Sequence, residues 1–341
     1  MTNPKLEFYR FKLKHHKEDF KTFRDYAIDE LNVGKKAKDE TVIKYCFKYF
    51  IESLDGDYSK DDKLKKQIVL IKKKSVNKYF DKQPAFNSSS NTIYGVINGG
   101  PYGRDRILSD IDDQEDSSVL GQNKSVLLYF YFLLYLPTDH NEGCFIIHSN
   151  GVDESITKIF RNFISNVFKG NSYYKVQCES YCPKSFQNEF KKGATLKSMV
   201  SKNSFIENIH STDGISNPMQ QYDIKIEAVP KNKSIAISDA SKVRTFLAKK
   251  IFGNSKNPKS LNEFDETKIR TENPITDSTK TFEWNTKDGE FVPVVYLKGR
   301  IFKFNPDGTP DFDELAQLCR NYFNDDVLPE IRPDLYVSRA N

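Results

Sequence analysis

Three charged residues alternate along a segment with a strand-like pattern, and their types suit metal-dependent hydrolysis. Asp223, Lys225 and Glu227 stand two residues apart within residues 222–229, so a strand places them on one face. Carboxylates that hold a divalent metal beside a lysine that polarises water could cleave a phosphodiester, with Asp213 as a further ligand. A metal-dependent nuclease is therefore one function that the sequence predicts, as an alternative to the nucleic-acid binding considered next.

A second set of residues has the chemistry of phosphate binding. Residues 225–259 contain nine Lys or Arg against two acids, which gives +7, while the whole chain carries +5. Such residues neutralise phosphates and give a salt-dependent affinity that does not depend on the base sequence. The shortage of arginine also argues against sequence-specific binding, because arginine is the residue that pairs in a bidentate way with guanine. A coding preference for lysine is the other interpretation and makes this an ordinary solvated surface. The candidate nucleic-acid contacts are Lys225, Lys231, Lys233, Lys242, Arg244, Lys249 and Lys250.

Charge is also segregated elsewhere along the chain. Residues 60–82 hold nine lysines against three aspartates, or +6, and residues 305–334 hold eight acids against two arginines, or −6. Segregation of this kind is typical of proteins that meet a polyanion on one face. One hypothesis is that the acidic segment covers the basic face or forms an interface.

A glycine-rich stretch adds two more candidate contacts. The spacing predicts a turn at Asn98–Pro101 after a strand, and its backbone amides could cradle phosphate next to Arg104 and Arg106. The stretch matches neither a Walker A motif nor a dinucleotide-binding fingerprint. A plain turn is the simpler interpretation.

Other reactive residues lack a recognisable pattern. Cys178, Cys182, His148 and His210 are too sparse for structural zinc, and the acidic tract 110–116 lacks the spacing of a calcium loop. Neither G-x-S-x-G nor H-E-x-x-H occurs. We assign no metal, no cofactor and no catalytic residue outside the nuclease alternative, and we expect His148 to end a buried strand.

The chain has the features of a cytoplasmic protein without membrane insertion. Its first residues lack the apolar region of a signal peptide, and the most apolar run, Val126–Pro137, is too short to cross a bilayer. Five scattered cysteines indicate reduced thiols. We therefore expect a cytoplasmic location.

Hydrophobic periodicity predicts an ordered mixture of strands and helices. Strands are predicted at residues 6–13, 43–51, 67–72, 92–97, 126–136, 144–148, 174–179, 222–229, 282–284, 291–297 and 301–304. Helices are predicted at residues 14–31, 156–168, 183–192, 239–252 and 311–323, and residues 253–262 as a linker. In the helix at 239–252 we expect Val243, Phe246, Leu247 and Ile251 on the buried side.

This order of elements indicates the fold class and a division of the chain. Strands 126–136 and 144–148 are expected to pair antiparallel, and hairpin-like strands with intervening helices predict an α+β fold with mixed or antiparallel sheets and flanking helices. The 341 residues exceed what one core supports, so two or more subdomains are expected. We predict an N-terminal α/β subdomain (1–118), a central hairpin–helix subdomain (119–252) and a C-terminal subdomain of strands and an acidic helix (262–341).

Three passages carry a resemblance to a known family: NTIYGVINGGPYGRDRIL, YLPTDHNEGCFIIHSNGVDESITKIFRNFI and YDIKIEAVPKNKSIAISDASKVRTFLAKKI. Their order of elements resembles the DNA-binding phage-exclusion sensors of the lambda Rex type and, more loosely, the second component of Kiwa-type anti-phage systems. The chain departs from that pattern in its longer N-terminal part and in the acidic tract 110–116, which leaves the dimer geometry and any partner open.

The resemblance implies an anti-phage defence protein of the abortive-infection or exclusion type. Such a protein is cytoplasmic, binds DNA non-specifically, is expected to be a homodimer, and is more plausibly a sensor than an enzyme. A defence-system partner protein is a further candidate partner, and a protein-interaction scaffold is a third function. The positions that carry over are Lys225, Lys231, Lys233, Lys242 and Arg244.

Overall fold

The chain divides into two compact units in a computed structural model. Unit 1 comprises Met1–Cys182 and Val294–Asn341, and unit 2 comprises Pro183–Pro293. The three segments predicted from the sequence have other bounds and stay a prediction. The structure describes residues 4–56, 59–113, 115–150, 155–207, 220–231, 235–236, 239–252, 266–272, 279–283, 294–306 and 308–337.

The described elements form an α+β fold, as predicted. The strands are β1 (Lys5–Lys12), β2 (Lys60–Asp61), β3 (Lys66–Val69), β4 (Ala85–Asn87), β5 (Thr92–Pro101), β6 (Arg106–Ser109), β7 (Ser117–Leu120), β8 (Leu128–Tyr135), β9 (Glu142–Ser149), β10 (Glu179–Tyr181), β11 (Thr195–Glu207), β12 (Gln220–Ala228), β13 (Ile235–Ala236), β14 (Glu266–Glu272), β15 (Thr279–Glu283) and β16 (Val295–Tyr296). The helices are α1 (Phe23–Leu31), α2 (Asp39–Ser53), α3 (Thr157–Val167), α4 (Lys184–Gly193), α5 (Ala240–Phe252), α6 (Phe312–Tyr322), α7 (Leu328–Ile331) and α8 (Asp334–Val337).

An antiparallel sheet organises unit 1. Its strand order is β10-β1-β9-β8-β5-β3-β2, with β16 beside β1 and β4 beside β5. The predicted antiparallel pair is confirmed as β8 and β9, in which Phe132 lies opposite Ile147. The acidic tract lies apart from this sheet at the tip of the β6–β7 hairpin, and its described residues are exposed.

Both faces of β8 are buried, which explains its uninterrupted apolar sequence. On one face Phe132 stacks on Phe50 of α2 at a ring distance of 5.3 Å, and the same face contacts α3, where Phe160 lies 5.4 Å from Phe132. On the other face Tyr135 contacts Phe323 after α6 at 5.0 Å. α3 and α6 match the predicted helices closely, because each has one apolar stripe at helical spacing.

The predicted strand at residues 43–51 is wrong, because this segment is helix α2. Its buried side chains, Val42, Ile43, Cys46 and Phe50, recur at intervals of three and four residues. Tyr45, which a strand would bury with Ile43, is 44% exposed. The apolar and aromatic residues of this segment contain an alternation of period two and also a helical stripe, and packing against the sheet selects the helix.

The predicted turn at Asn98–Pro101 is also wrong, because β5 continues through it to Pro101. Gly99 pairs with Ile68 of β3 and with Leu128 of β8. A side chain at Gly99 would stand 2.7 Å from Ile156, and one at Gly100 would overlap the carbonyl oxygen of Val126. These glycines therefore permit close packing inside the sheet.

Other predicted elements differ in their ends. The first helix begins at Phe23 and not at residue 14, because Thr22 and Asp25 form a capping box. The strand predicted at 174–179 is wrong except at Glu179, where β10 begins, and β11 has no counterpart in the prediction. Residues 301–304 form isolated bridges and no strand, while the predicted linker 253–262 lies outside the described residues.

Unit 2 has its own sheet and core. The strand order is β12-β11-β14-β15, with β13 beside β11, and all described pairs are antiparallel. Its buried core contains Phe190, Ala194, Leu196, Met199, Ala240 and Ile269. Ala240 belongs to α5, so this helix is tied to the sheet from its first turn. Nowhere in the described chain is a helix long and apolar enough to cross a membrane.

Candidate nucleic-acid interface

One face of α5 brings together four of its side chains. Lys242, Phe246, Lys249 and Lys250 are each exposed, and their spacing of four, three and one residues places them within about 100° around the helix. We call these four residues the α5 face. It joins three of the lysines predicted to contact nucleic acid to an aromatic ring, Phe246, which is 59% exposed and was predicted to be buried.

Arg244 lies on the other side of the same helix. Two residues correspond to about 200° of rotation from Lys242, and Arg244 is only 5% exposed, beside the fully buried Ala240. Burial lowers the pKa of the Arg244 guanidinium from its usual value. This side chain therefore faces the interior of unit 2, and the α5 face does not include it.

The lysines of the α5 face have few acidic neighbours. Lys242 pairs with Asp239 one turn earlier, with 2.8 Å between Nζ and Oδ1. The Nζ of Lys250 lies 5.8 Å from the centre of the Phe246 ring, a cation–π distance. Among the residues that the structure describes, Lys249 and Lys250 form no ion pair with a carboxylate. Two of the three positive charges are thus available to a ligand.

An apolar groove adjoins the α5 face. It has a volume of about 410 Å³ and lies between α5 and the segment that follows β12. Val229, which is 61% exposed, forms part of the wall together with Pro230, Val243, Phe246 and Leu247, and Lys242 stands at its margin. A cavity of this size and composition is in the range of small-ligand pockets.

The other basic candidates of unit 2 lie near β12. Lys225 is exposed but pairs with Glu227 on the same strand, with 3.5 Å between Nζ and Oε2. Lys231 is exposed in the turn after β12, and Lys233 lies outside the described residues. The structure therefore adds Lys231 as an exposed charge, while Lys225 already has a partner.

The residues of the nuclease alternative are placed only in part. Asp223 lies in β12 opposite Ser204 of β11, Glu227 holds Lys225 in an ion pair, and Asp213 is outside the described residues. No group of three or more His, Cys, Asp or Glu side chains within the described ranges is arranged to hold a metal ion. The nuclease alternative therefore stays a prediction.

The arginines after the glycine stretch lie in unit 1. Arg104 is exposed, and Arg106 begins β6 opposite Leu120 of β7. Because β5 continues through Gly99 and Gly100, the turn that was to cradle phosphate beside them does not form. The assignment of Arg104 and Arg106 to nucleic-acid binding stays a prediction.

Buried cysteine and histidine side chains are unsuited to nucleophilic chemistry. All five cysteines are buried and none forms a disulfide bond, and burial raises the pKa of Cys46 to about 12 and that of Cys178 to about 11. Such thiols stay protonated and are weak nucleophiles. His148 ends β9 as predicted and is fully buried, and burial lowers its pKa to about 3.

Acidic loops that superficially resemble metal loops have local structural roles. Oδ1 of Asp110 accepts hydrogen bonds from the backbone amides of Asp112 and Asp113 at 2.8 and 3.2 Å. Asp311 caps α6 by accepting from the amides of Asp313 and Glu314. These carboxylates thus stabilise a turn and a helix end.

Sequence reasoning missed Phe246 and the groove as functional features. The spacing of Lys242, Phe246, Lys249 and Lys250 contains the signal, because a helical projection places the ring among the lysines and Arg244 opposite them.

Comparisons of the chain with protein-family models, with curated proteins and with solved structures give no match.

Proposed function

We propose that the protein binds nucleic acid with little sequence preference through the α5 face. The observation that carries the proposal is the grouping of Lys242, Lys249 and Lys250 on one exposed helix face, two of them without a carboxylate partner among the described residues. Clustered lysines without a paired arginine fork suit phosphates and not base edges. Lys231, exposed in the turn after β12, is a further contact.

The biological setting that we propose is anti-phage defence of the exclusion type, in the cytoplasm and as a homodimer. This part rests on the resemblance to Rex-type sensors and on the three passages that carry it. The α5 face lies within the third of these passages and contains Lys242, one of the carried-over positions.

Binding is tested by titrating labelled single-stranded and duplex DNA with purified protein over a salt series. The triple variant Lys242→Ala, Lys249→Ala, Lys250→Ala should weaken binding roughly 100-fold at about 0.1 M salt, since each lost phosphate contact lowers the salt exponent by about 0.7 on a single strand. The slope of affinity against salt should flatten by about two units.

A matched triple variant provides the control. Lys65→Ala, Lys72→Ala, Lys82→Ala removes the same charge from lysines that pair with Asp62, Asp55 and Asp313. It should leave affinity and salt slope close to those of the unmodified protein. Equal losses of affinity in the two triple variants would show that binding depends only on net charge. Unchanged affinity in the α5 triple variant would overturn the proposal.

The defence role is tested separately in bacteria that express the chain. Phage plating should fall when the unmodified protein is present and recover with the α5 triple variant at equal protein level, because exclusion would depend on nucleic-acid binding. Full exclusion by a variant that no longer binds nucleic acid would contradict this part of the proposal.

A further inference from the structure

We infer that the nucleic acid is single-stranded and that one unstacked base occupies the apolar groove against the ring of Phe246. This inference rests on the proposed function and specifies its ligand. The juxtaposition that carries it is an exposed aromatic ring and an apolar groove placed among phosphate-binding lysines.

The exposure of Phe246 is the first step. A phenylalanine on a helix that packs on a sheet ordinarily contributes to the core, yet Phe246 is 59% exposed, while Ala240 and Arg244 take the buried positions of α5. Its ring is flanked by Lys242 one turn earlier and by Lys250 one turn later, with the Lys250 ammonium 5.8 Å from the ring centre. An aromatic platform beside cations is the arrangement that binds single strands, by stacking on bases and contacting phosphates.

The groove supplies room for such a base. Val229, Pro230 and Leu247 complete an apolar wall around Phe246, and the volume of this open groove is about 410 Å³. The flat face of a nucleobase is apolar and available only when the base is unstacked, whereas a duplex offers base edges and phosphates. An apolar groove therefore discriminates in favour of the single strand.

The positive charge at the margin of the groove favours a nucleic-acid strand over a neutral apolar ligand. Lys242 lines the groove itself, and Lys249 and Lys250 stand on the same face of α5. The ligand must therefore combine an apolar group with negative charges spaced along its length. A nucleotide strand has this composition at every residue, and so the groove accepts any base.

The test compares oligothymidylate with an abasic strand of equal length and equal phosphate count. The unmodified protein should bind the strand with bases about 5-fold to 100-fold more tightly, the range expected for stacking of one base. Phe246→Ala should lower the affinity for the strand with bases to that for the abasic strand and so remove this preference. Phe246→Trp should retain it.

Controls keep the inference separate from the proposed function. Phe302→Ala removes another exposed phenylalanine, 81% exposed and in unit 1, and should not alter the preference for bases. Circular dichroism of each variant checks folding, which removal of an exposed ring should leave intact.

Three results would overturn the inference. If abasic and normal strands bind equally and depend on the α5 lysines, the proposed function stands and the base-stacking inference fails. If no strand binds with salt dependence, both fail. If an acidic amphipathic peptide binds in a Phe246-dependent manner and no strand does, the groove belongs to a protein ligand and both proposals fail.

Discussion

Two lysine-rich regions of the molecule, residues 60–82 and residues 225–259, have nearly equal charge, and each contains, among its described residues, lysines that pair with carboxylates beside lysines that do not. In residues 60–82 of unit 1, Lys65 pairs with Asp62 at 3.4 Å and Lys72 pairs with Asp55 at 2.6 Å. In α5 of unit 2, Lys242 is paired, whereas Lys249 and Lys250 have no carboxylate partner in the described part of the chain. The charge of a sequence window therefore overstates the charge available to a ligand wherever carboxylates fold back onto it.

The aromatic residues of the two regions differ in the same way. Tyr79 in unit 1 has Lys78 over its ring at 5.1 Å, but the ring packs against Tyr129 at 4.8 Å and Phe312 at 4.7 Å. Phe246 has Lys250 at a similar distance and remains 59% exposed. An aromatic ring beside a lysine thus packs into the fold in one unit and remains accessible in the other.

The largest expected effect concerns acid stability, in which the units should also differ. His148 is buried in unit 1 with its pKa lowered to about 3 from 6.5. Between these values the unfolded chain binds the extra proton, so the stability that the neutral imidazole permits is lost as the pH falls from 6.5 towards 3. We expect unit 1 to lose about 2 kcal/mol of unfolding free energy between about pH 7 and about pH 5.

Hydrogen exchange followed peptide by peptide measures this loss in each unit. The buried core described for unit 2 is apolar, and its peptides should change less over the same range. His148→Phe keeps an aromatic ring beside Phe312 and should flatten the response of unit 1. Asp139 and Asp334 do not interfere, because Arg332 holds the pKa of both carboxyls below their usual range. An unchanged slope in His148→Phe would show that another group titrates.

The sequence predicted the elements with one clear period and failed where two periods coexist. α3 was predicted because Ile159, Phe160 and Phe163 fit only a helical stripe. In α2 the apolar residues also alternate, as in a strand. Whether the segment forms a helix or a strand therefore depends on the packing of Phe50 against Phe132 of β8, more than 80 residues away along the chain. Local sequence does not contain that contact.

The sequence predicted which lysines belong to the candidate site, but not how they are arranged around the helix. The lysines of α5 were identified as a group, but Arg244 was placed with them although it lies about 200° from Lys242 on a helix. Phe246 was assigned to the core because it is apolar. Its exposure follows from the sheet of unit 2, which packs against the side of α5 that carries Ala240 and Arg244.

The next prediction asks whether pairing alone separates the two lysine-rich regions. Asp55→Asn together with Asp62→Asn releases Lys72 and Lys65 from their ion pairs. If pairing withholds these charges, affinity for a single strand at about 0.1 M salt should rise by roughly 25-fold, since each of the two new phosphate contacts adds about 0.7 to the salt exponent.

The salt series described for the α5 variants measures this gain. Asp112→Asn together with Asp113→Asn removes two exposed carboxylates that form no ion pair within the described structure, and it serves as the control for net charge. A gain in both variants would indicate long-range attraction. No gain in either would mean that the geometry of the α5 face, and not the absence of carboxylates, distinguishes it.

The smallest expected effect lies within the α5 face itself. Among the described residues, Lys242 is the one lysine of this face with a carboxylate partner, Asp239 at 2.8 Å. An exposed pair at this spacing is weak enough for a phosphate to displace. Asp239→Asn should therefore raise single-strand affinity only about twofold. Glu52→Gln, which breaks the comparable Lys48 pair on α2, should leave affinity unchanged. A loss of affinity in Asp239→Asn would show that the carboxylate positions Lys242 for its phosphate and does not compete for it. The α5 face would then depend on an ion pair, as Lys65 and Lys72 of unit 1 do, although its lysines are exposed.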